Sequence, residues 1–172
     1  MGTVEERAVH MPDGAAALAC EDPDGHRYES ENHLVEDLLG WLVVAGAPWD
    51  AAGVVREFSY RRGTTDVVVL TSAGEVVAIE AKLRRWRDAL HQAYRNTCFA
   101  HQSYVVLPRA AARLAQCHLA EFERRGVGLC CLDALGIVVL HESRRQDPLL
   151  PWLSREALSR ADRQQRDATH SA

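Results

Sequence analysis

The sequence predicts an α/β protein with one mixed β-sheet. Three observations carry this prediction. The 172 residues are 47% hydrophobic and 26% charged, which is enough length and apolar content for one domain with a sizeable core. The predicted elements follow in the order α-β-β-β-α-β-α-β-β, which is typical of α/β domains. Two of the strands, at 64–71 and 76–82, are apolar on both faces and therefore belong in the middle of the sheet.

Local signals place the first helix and the hairpin that follows it. Ser30 can cap a helix, and Gly46 and Pro48 can end it. Apolar residues recur between these limits at helical spacing: Leu34, Val35, Leu38, Trp41, Leu42 and Ala45. A strand at 54–60 leads through the turn at 61–63 into the strands at 64–71 and 76–82.

The second half alternates helices and strands. It contains a helix at 84–100, a strand at 103–107, an alanine-rich helix at 109–125 that Gly126 ends, and strands at 127–132 and 137–141. A polar helix starts at Ser154, and a short strand is predicted at 15–20. We therefore expect an acidic N-terminal segment at 1–29, an α/β domain at 30–150 and a polar C-terminal helix or tail at 151–172.

Several classes of protein are excluded. No run of 18 apolar residues is present, which argues against a membrane span, and the first ten residues lack the apolar region of a secretory signal. Five cysteines without a C-x-x-C pair argue against a disulfide framework and against a structural zinc site. We expect a cytoplasmic protein with no membrane partner.

The charges are distributed unevenly. Residues 1–54 carry 2 basic and 11 acidic side chains, whereas residues 55–125 carry 12 basic and 7 acidic ones. A basic middle region within an acidic chain is compatible with one local surface that faces phosphates. Arginine supplies 19 of the 20 basic residues, and the single lysine is Lys82. A lone lysine in such a chain hints at a position that needs a compact ammonium.

Charged residues end the buried strand at 76–82. Glu80 and Lys82 are two residues apart and so leave the same face of the strand. The loop before this strand decides whether Asp66 joins them. A three-residue loop, 72–74, with Gly74 at positive φ pairs Asp66 with Glu80, whereas an even loop places Asp66 on the opposite face. We predict the three-residue loop or an equivalent bulge.

Asp66, Glu80, Ala81 and Lys82 then form a D-x13-E-x-K pattern on neighbouring central strands. In this pattern and in the order of its elements over residues 30–140, the sequence resembles the PD-(D/E)XK nuclease superfamily. The resemblance implies a restriction-endonuclease-like three-layer α/β/α core around a central mixed β-sheet. Thr65 stands where the proline of the motif name would be.

The resemblance also implies the chemistry. Mg²⁺ or Mn²⁺ would be held by Asp66, Glu80 and the main-chain carbonyl of Ala81, since hard cations take oxygen ligands. Lys82 would orient the attacking water or stabilise charge on the phosphate, and DNA is the expected substrate. The alternative for the charged residues is a surface salt bridge between Lys82 and Glu80 or Asp66.

Two assisting residues are proposed on the flanking helices. Members of this superfamily often carry a glutamate on the first helix, and either Glu31 or Glu36 could supply it. Glu31 falls on the apolar side of the helix and is preferred, with a first-turn carboxylate favoured by the helix dipole as the alternative. Gln92 matches the glutamine of a Q-x-x-x-Y motif found in RecB-like members, but Asn96 replaces its tyrosine.

Arginines near the motif complete the set of candidates. Those expected to contact phosphates are Arg61, Arg62, Arg84, Arg85, Arg87 and Arg95. A single domain without a separate recognition module suggests a homodimer or a partner subunit. The function predicted is nucleic-acid cleavage for repair, recombination or defence. The alternatives are a non-catalytic nucleic-acid-binding or regulatory protein on the same fold, and a different metal-dependent enzyme that reuses the site.

Overall fold

A computed structural model describes residues 28–44 and 46–170. The strand predicted at 15–20 lies outside them. The elements in this part of the chain are, in order, α1 (Glu31–Leu42), β1 (Ala51–Tyr60), β2 (Gly63–Thr71), β3 (Val76–Ala81), α2 (Trp86–Asn96), β4 (Gln102–Pro108), α3 (Arg109–Gln116), α4 (Leu119–Arg125), β5 (Gly128–Asp133), β6 (Gly136–His141) and α5 (Pro151–His170). No helix in the described part of the chain is both long enough and apolar enough to cross a bilayer.

The strands form one mixed sheet in the order β1-β2-β3-β4-β5-β6. β1, β2 and β3 pair antiparallel, β3, β4 and β5 pair parallel, and β6 returns antiparallel to β5. β2 and β3 lie inside the sheet, where burial on both faces explains why they are apolar on both faces. The predicted α/β class with a central mixed sheet is therefore confirmed.

Helices cover both faces of the sheet. α1 packs on one face through Leu34 and Leu38, against residues such as Val67 and Ile79. α2, α3 and α4 pack on the opposite face against β4 and β5. α5 covers the β1 end of that second face, where Leu153 is buried with strand residues of β1, β2 and β3. The arrangement is three-layered, and α1 and α2 are the helices that flank the end of β3.

The single alanine-rich helix predicted at 109–125 is wrong, because the structure has two helices there. α3 ends at Gln116, and α4 begins at Leu119 after a turn at Cys117 and His118. α3 buries Ala111, Ala112 and Ala115, whereas α4 buries Phe122 in a stack with Trp86. Packing of these aromatic rings reorients the chain where the sequence carries no glycine or proline. Gly126 ends α4 with φ +66°, as predicted.

The loop between β2 and β3 has the predicted form. The Thr71 N–H donates to the Glu75 carbonyl at 2.9 Å, and the Gly74 N–H donates to the Thr71 carbonyl at 2.9 Å. Three residues, 72–74, therefore separate the paired ends, and Gly74 has φ +80°. The ladder runs from Leu70 opposite Val76 to Val67 opposite Ile79. Continuing this register places Asp66 opposite Glu80.

Substitution of two glycines tests the role of this loop. A Cβ added at Gly74 or at Gly40 would meet no atom within 4 Å, so backbone conformation alone separates the two positions. We expect Gly74→Ala to lower the free energy of unfolding by about 1 kcal/mol, because alanine is strained at φ +80°. Gly40→Ala, inside α1, should raise it by about 0.5–1 kcal/mol. Urea denaturation measures both, and equal effects would contradict the explanation.

Candidate active site

The predicted site residues meet at the carboxyl end of β3. Asp66 lies on β2 and Glu80 on β3, and Lys82 is the residue that directly follows β3. The N-terminus of α1, capped by the Ser30 side chain that accepts from the His33 N–H, approaches the same end. α2 starts at this end of the sheet and runs back along it, because β4 is parallel to β3 and must begin at the opposite end of the sheet.

Asp66 is anchored to the backbone of the neighbouring strand. The Ala81 N–H donates to Asp66 Oδ2 at 2.9 Å. The carboxylate thus takes a strand donor just beyond the last β2–β3 pair, Val67 with Ile79. No other N–H of the described residues donates to this carboxylate, and the neighbouring Glu80 can donate to it only when protonated. One oxygen is fixed in place and the other is left for a further partner.

Glu80 is a buried carboxyl group, with 1% of the residue exposed. The Asn96 side-chain amide on α2 donates to Glu80 Oε1 at 2.7 Å. Glu80 Oε2 is buried and has no hydrogen-bond partner among the described residues. A buried oxygen without a donor is costly, so this atom requires an explanation. Glu80 therefore repeats the pattern of Asp66, with one oxygen held by a neutral N–H and one oxygen left over.

The pKa of Glu80 is raised from 4.5 to about 8, and burial is the largest cause. The negative charge of Asp66 contributes to this rise, and so does the hydrogen bond that a protonated Glu80 can donate to Asp66. The amide of Asn96 and the charge of Lys82 oppose the shift. The two carboxyl groups are thus close enough to share a proton. A cation between them would reduce the repulsion of the two negative charges, as the shared proton does.

Lys82 connects this pair to α1. Its ammonium donates to Glu31 Oε2 at 2.8 Å, and only 18% of the lysine side chain is exposed. Burial lowers the pKa of Lys82, but the hydrogen bond that Lys82 donates to Glu31 and the charges of the nearby carboxylates outweigh burial and raise the pKa above 10.5. The lysine is accordingly a permanent cation. Glu36, the other candidate on α1, instead pairs with Arg56 on β1.

Gln92 lies on the face of α2 that carries Asn96, because the two are four residues apart. It is one helical turn nearer the carboxyl end of β3 than Asn96. Gln92 Oε1 is buried and, like Glu80 Oε2, has no hydrogen-bond partner in the described part of the chain. Among the described residues, these two oxygens are the only buried side-chain nitrogen or oxygen atoms without a hydrogen-bond partner. Both belong to residues that the sequence singled out.

Sequence reasoning did not include Asn96, Tyr60 and Thr65 among the site residues. Asn96 touches Glu80, and the hydroxyls of Tyr60 and Thr65 both donate to the Asn96 side-chain oxygen, at 2.7 and 3.0 Å. Burial, followed by a smaller contribution from Cys98, raises the pKa of Tyr60 to about 12, so it remains a donor. The available signal was the spacing of Asn96, four residues after Gln92, on an otherwise apolar helix face.

The donor set fits a hard divalent cation better than a soft one. Two carboxylates each keep one oxygen that no N–H of the described residues occupies, and carboxylate oxygens are the ligands that hard cations prefer. No three His, Cys, Asp or Glu side chains in residues 28–44 and 46–170 converge closely enough to form a metal site by themselves. A cation here would therefore need main-chain or water oxygens besides Asp66 and Glu80.

The arginines predicted to contact phosphates fall into two groups. Arg85 pairs with Asp88 at 2.7 Å, and Arg87 pairs with Glu121 at 3.4 Å and covers the Trp86 ring. The others are exposed and form no ion pair with the described residues; they are Arg61, Arg62, Arg84 and Arg95. Trp86 itself is buried, which makes it a packing residue.

These free arginines lie on two sides of the carboxylates. Arg62 and Arg95 both lie near Tyr60, and their positive charges partly offset the rise of its pKa. The Arg95 guanidinium lies beside Gly63. On the α1 side, an open groove of about 550 Å³ runs past Glu31 and Arg84. Its lining residues are Tyr28, Glu29, Glu31, Leu83, Arg84 and Arg85. Positive charge thus flanks the acidic centre on both sides.

Comparisons with known proteins address the fold. A protein of unknown function from Silicibacter pomeroyi is 20% identical and has a TM-score of 0.50, with 69% of this chain and 77% of that chain covered. A repair endonuclease from Pyrococcus abyssi is 23% identical with a TM-score of 0.35, over 46% of this chain and 37% of that chain. A scan against protein-family models and a search of curated proteins gave no match. The first likeness supports the fold, and neither identifies an activity.

The raised pKa of Glu80 has a measurable consequence for stability. The folded protein holds a proton on Glu80 up to about pH 8, whereas the unfolded chain releases it near 4.5. The folded state therefore binds more protons in this range, so its stability falls as pH rises, by up to about 1.4 kcal/mol per pH unit from this group. We expect urea denaturation in EDTA to show this fall between pH 5 and 8 as the difference between wild type and Glu80→Gln.

The glutamine variant is a suitable reference because it keeps the shape of the side chain and an oxygen for the Asn96 amide. It removes only the titration and the charge. A pH dependence that is the same in wild type and Glu80→Gln would show that Glu80 ionises normally in the folded protein.

Proposed function

We propose that this protein is a metal-dependent nuclease that hydrolyses phosphodiester bonds, with DNA as the substrate. One observation carries the proposal. Two carboxylates on adjacent strands, Asp66 and Glu80, each have one oxygen held by an N–H, and no N–H of the described residues reaches the other oxygen of either group. A cation next to Lys82 would satisfy the two free oxygens and face the phosphate-binding arginines.

Asp66, Glu80 and the main-chain carbonyl of Ala81 would hold Mg²⁺ or Mn²⁺. When bound, such an ion lowers the pKa of a coordinated water and offsets negative charge on the phosphate. The chain's own contribution is to keep both carboxylates immobile before the ion arrives. Ala81 fixes Asp66 from the strand, and Asn96 fixes Glu80 from the helix.

Lys82 would act as a fixed positive charge. Because its pKa is raised, it does not serve as a general base near neutral pH. Its ammonium instead stabilises negative charge on the phosphate or orients the water. Glu31 supports this role, since its carboxylate holds the ammonium and ties α1 to the end of β3. The unpartnered amide oxygen of Gln92 would accept a hydrogen bond from the same water, or its amide nitrogen would donate to the phosphate.

The substrate is proposed from charge. Three of the free arginines, Arg62, Arg84 and Arg95, lie on two sides of the carboxylates, and arginine is well suited to phosphate oxygens. We further propose that the protein acts in the cytoplasm, in repair, recombination or defence. A homodimer or a partner subunit would enlarge the surface available to the nucleic acid.

A second candidate is a nucleic-acid-binding or regulatory protein without catalysis. The excess of acidic over basic side chains in residues 1–54 favours it, because that region repels DNA unless it faces away. The free carboxylate oxygens favour the nuclease, since a binding surface for phosphates gains nothing from two close carboxylates. Metal binding distinguishes the two candidates, and cleavage also distinguishes the nuclease from another metal-dependent enzyme.

Cleavage and metal binding test the nuclease directly. The substrates are linear, circular, branched and single-stranded DNA and RNA, each incubated with Mg²⁺ or Mn²⁺ and, as a control, with EDTA. We expect metal-dependent cutting of DNA by wild type and none by Glu80→Gln. Lys82→Met should reduce cutting by about 100-fold or more, because it removes a charge placed at the reacting phosphate. Mn²⁺ should also raise the melting temperature of wild type and leave that of Glu80→Gln unchanged.

The two glutamates of α1 provide a matched control. Glu31→Gln removes the partner of Lys82 and should slow cleavage, whereas Glu36→Gln removes the partner of Arg56 and should not. A folded wild type that binds Mn²⁺ but cuts no substrate would contradict the nuclease. A wild type that binds no metal would favour the non-catalytic candidate.

The arginines can be separated by their partners. Binding of DNA, measured by fluorescence anisotropy in Ca²⁺ at several salt concentrations, should weaken in Arg62→Ala/Arg95→Ala. The slope of log K against log salt should fall by about 2, one for each lost phosphate contact. Arg85→Ala/Arg87→Ala removes the same charge from residues that are already ion-paired and should change the slope less. The reverse order of effects would refute this assignment of the phosphate-binding surface.

A further inference from the structure

Asn96 links three elements at the buried side of the candidate site. It lies at the end of α2 with 2% of its surface exposed. Its side chain contacts Tyr60 from β1, Thr65 from β2 and Glu80 from β3. The amide is thus bonded to all three strands of the antiparallel part of the sheet. A buried asparagine needs such partners, but nothing in packing alone requires that one of them be a carboxylate.

The carboxylate and the two hydroxyls together favour one orientation of the amide. Tyr60 donates to Asn96 Oδ1 at 2.7 Å, and Thr65 donates to the same oxygen at 3.0 Å. The amide oxygen is an acceptor and the amide nitrogen a donor, whereas a hydroxyl can be either, so the accepting carboxylate is the group that requires the nitrogen to face it. The nitrogen donates to Glu80 Oε1 at 2.7 Å, and the oxygen accepts from both hydroxyls. A reversed amide would oppose its oxygen to the carboxylate and lose the bond to Glu80.

The hydroxyls themselves are fixed by the core. The Tyr60 ring packs edge-on against Phe99 with centroids 5.2 Å apart and lies nearly parallel to Phe58. Thr65 is fully buried. Neither side chain can turn its hydroxyl away without disturbing these contacts. The orientation of the amide is consequently set before any ligand binds.

We propose that Asn96, locked by Tyr60 and Thr65, is a positioning residue that presents Glu80 Oε2 to the divalent cation. The inference rests on the proposed function and deepens it. The amide occupies Oε1 and so limits rotation of the carboxylate, which leaves Oε2 as the oxygen available beside Asp66. Partners of this kind behind a metal ligand typically change metal affinity by about 10- to 100-fold.

Binding of Mn²⁺ to the 172-residue chain, measured by calorimetry and by the loss of free-ion EPR signal, tests the proposal. Asn96→Leu has a similar side-chain size and no hydrogen-bonding group, and it should weaken Mn²⁺ binding by about tenfold or more. The concentration of Mg²⁺ needed for half-maximal cleavage should rise in parallel, with much of the rate recovered at saturating Mg²⁺. Circular dichroism reports whether this variant is folded.

Hydroxyl deletions keep the proposal testable if Asn96→Leu does not fold. Tyr60→Phe/Thr65→Val removes two oxygen atoms, leaves Asn96 in place and frees its amide to turn. We expect Mn²⁺ binding several-fold weaker than wild type in a folded protein. Tyr94→Phe is the matched control, because it makes the same change on α2 at a half-exposed ring whose hydroxyl bonds to none of the described residues. Its Mn²⁺ affinity should equal that of wild type.

The outcomes separate this proposal from the proposed function. Folded Asn96 and hydroxyl variants that bind Mn²⁺ as tightly as wild type would overturn the positioning role and leave the nuclease intact. So would a loss of affinity that tracks the unfolded fraction or that also appears in Tyr94→Phe, because each indicates a structural effect only. A wild type that binds no Mn²⁺ would overturn both.

Discussion

The pairing register of β2 with β3 is the constraint on which the rest of the site depends. The loop at 72–74, with Gly74 in a left-handed conformation, sets this register, and the register places Asp66 opposite Glu80. Side chains alternate along a strand, so a shift of one residue would move Asp66 to the face covered by α1. It would also change the face against which each apolar side chain of this central strand packs. The same apolar packing that stabilises the sheet thus holds the two carboxylates on one face.

The electrostatics of the site work against folding without a cation. Glu80 is buried beside a second carboxylate, and its raised pKa reflects an unfavourable environment for the charged form. Neutral donors, the Ala81 N–H and the Asn96 amide, hold one oxygen of each carboxylate but add no positive charge. Lys82 adds charge, although Glu31 shares it. Local strain or unsatisfied polarity in an otherwise consistent fold is commonly found where function requires it.

Sequence reasoning was successful where the signal was local. Ser30 as the helix cap, Gly126 as a helix stop and the three-residue loop each depend on a few neighbouring residues, and each is present in the structure. The break between α3 and α4 was missed because it arises from packing of Trp86 against Phe122, which are distant in sequence. Asn96 was passed over for a related reason, since its partners Tyr60, Thr65 and Glu80 come from three other elements.

The sequence by itself determined the α/β class, the central position of β2 and β3, and the presence of two carboxylates and the sole lysine at one strand end. These follow from residue type and short-range periodicity, which can be read from short stretches of the sequence. Only the tertiary structure decided which glutamate of α1 reaches Lys82, which arginines remain unpaired, and how Asn96 faces Glu80. Such choices depend on distances between elements, and those distances exist only once the helices have packed on the sheet.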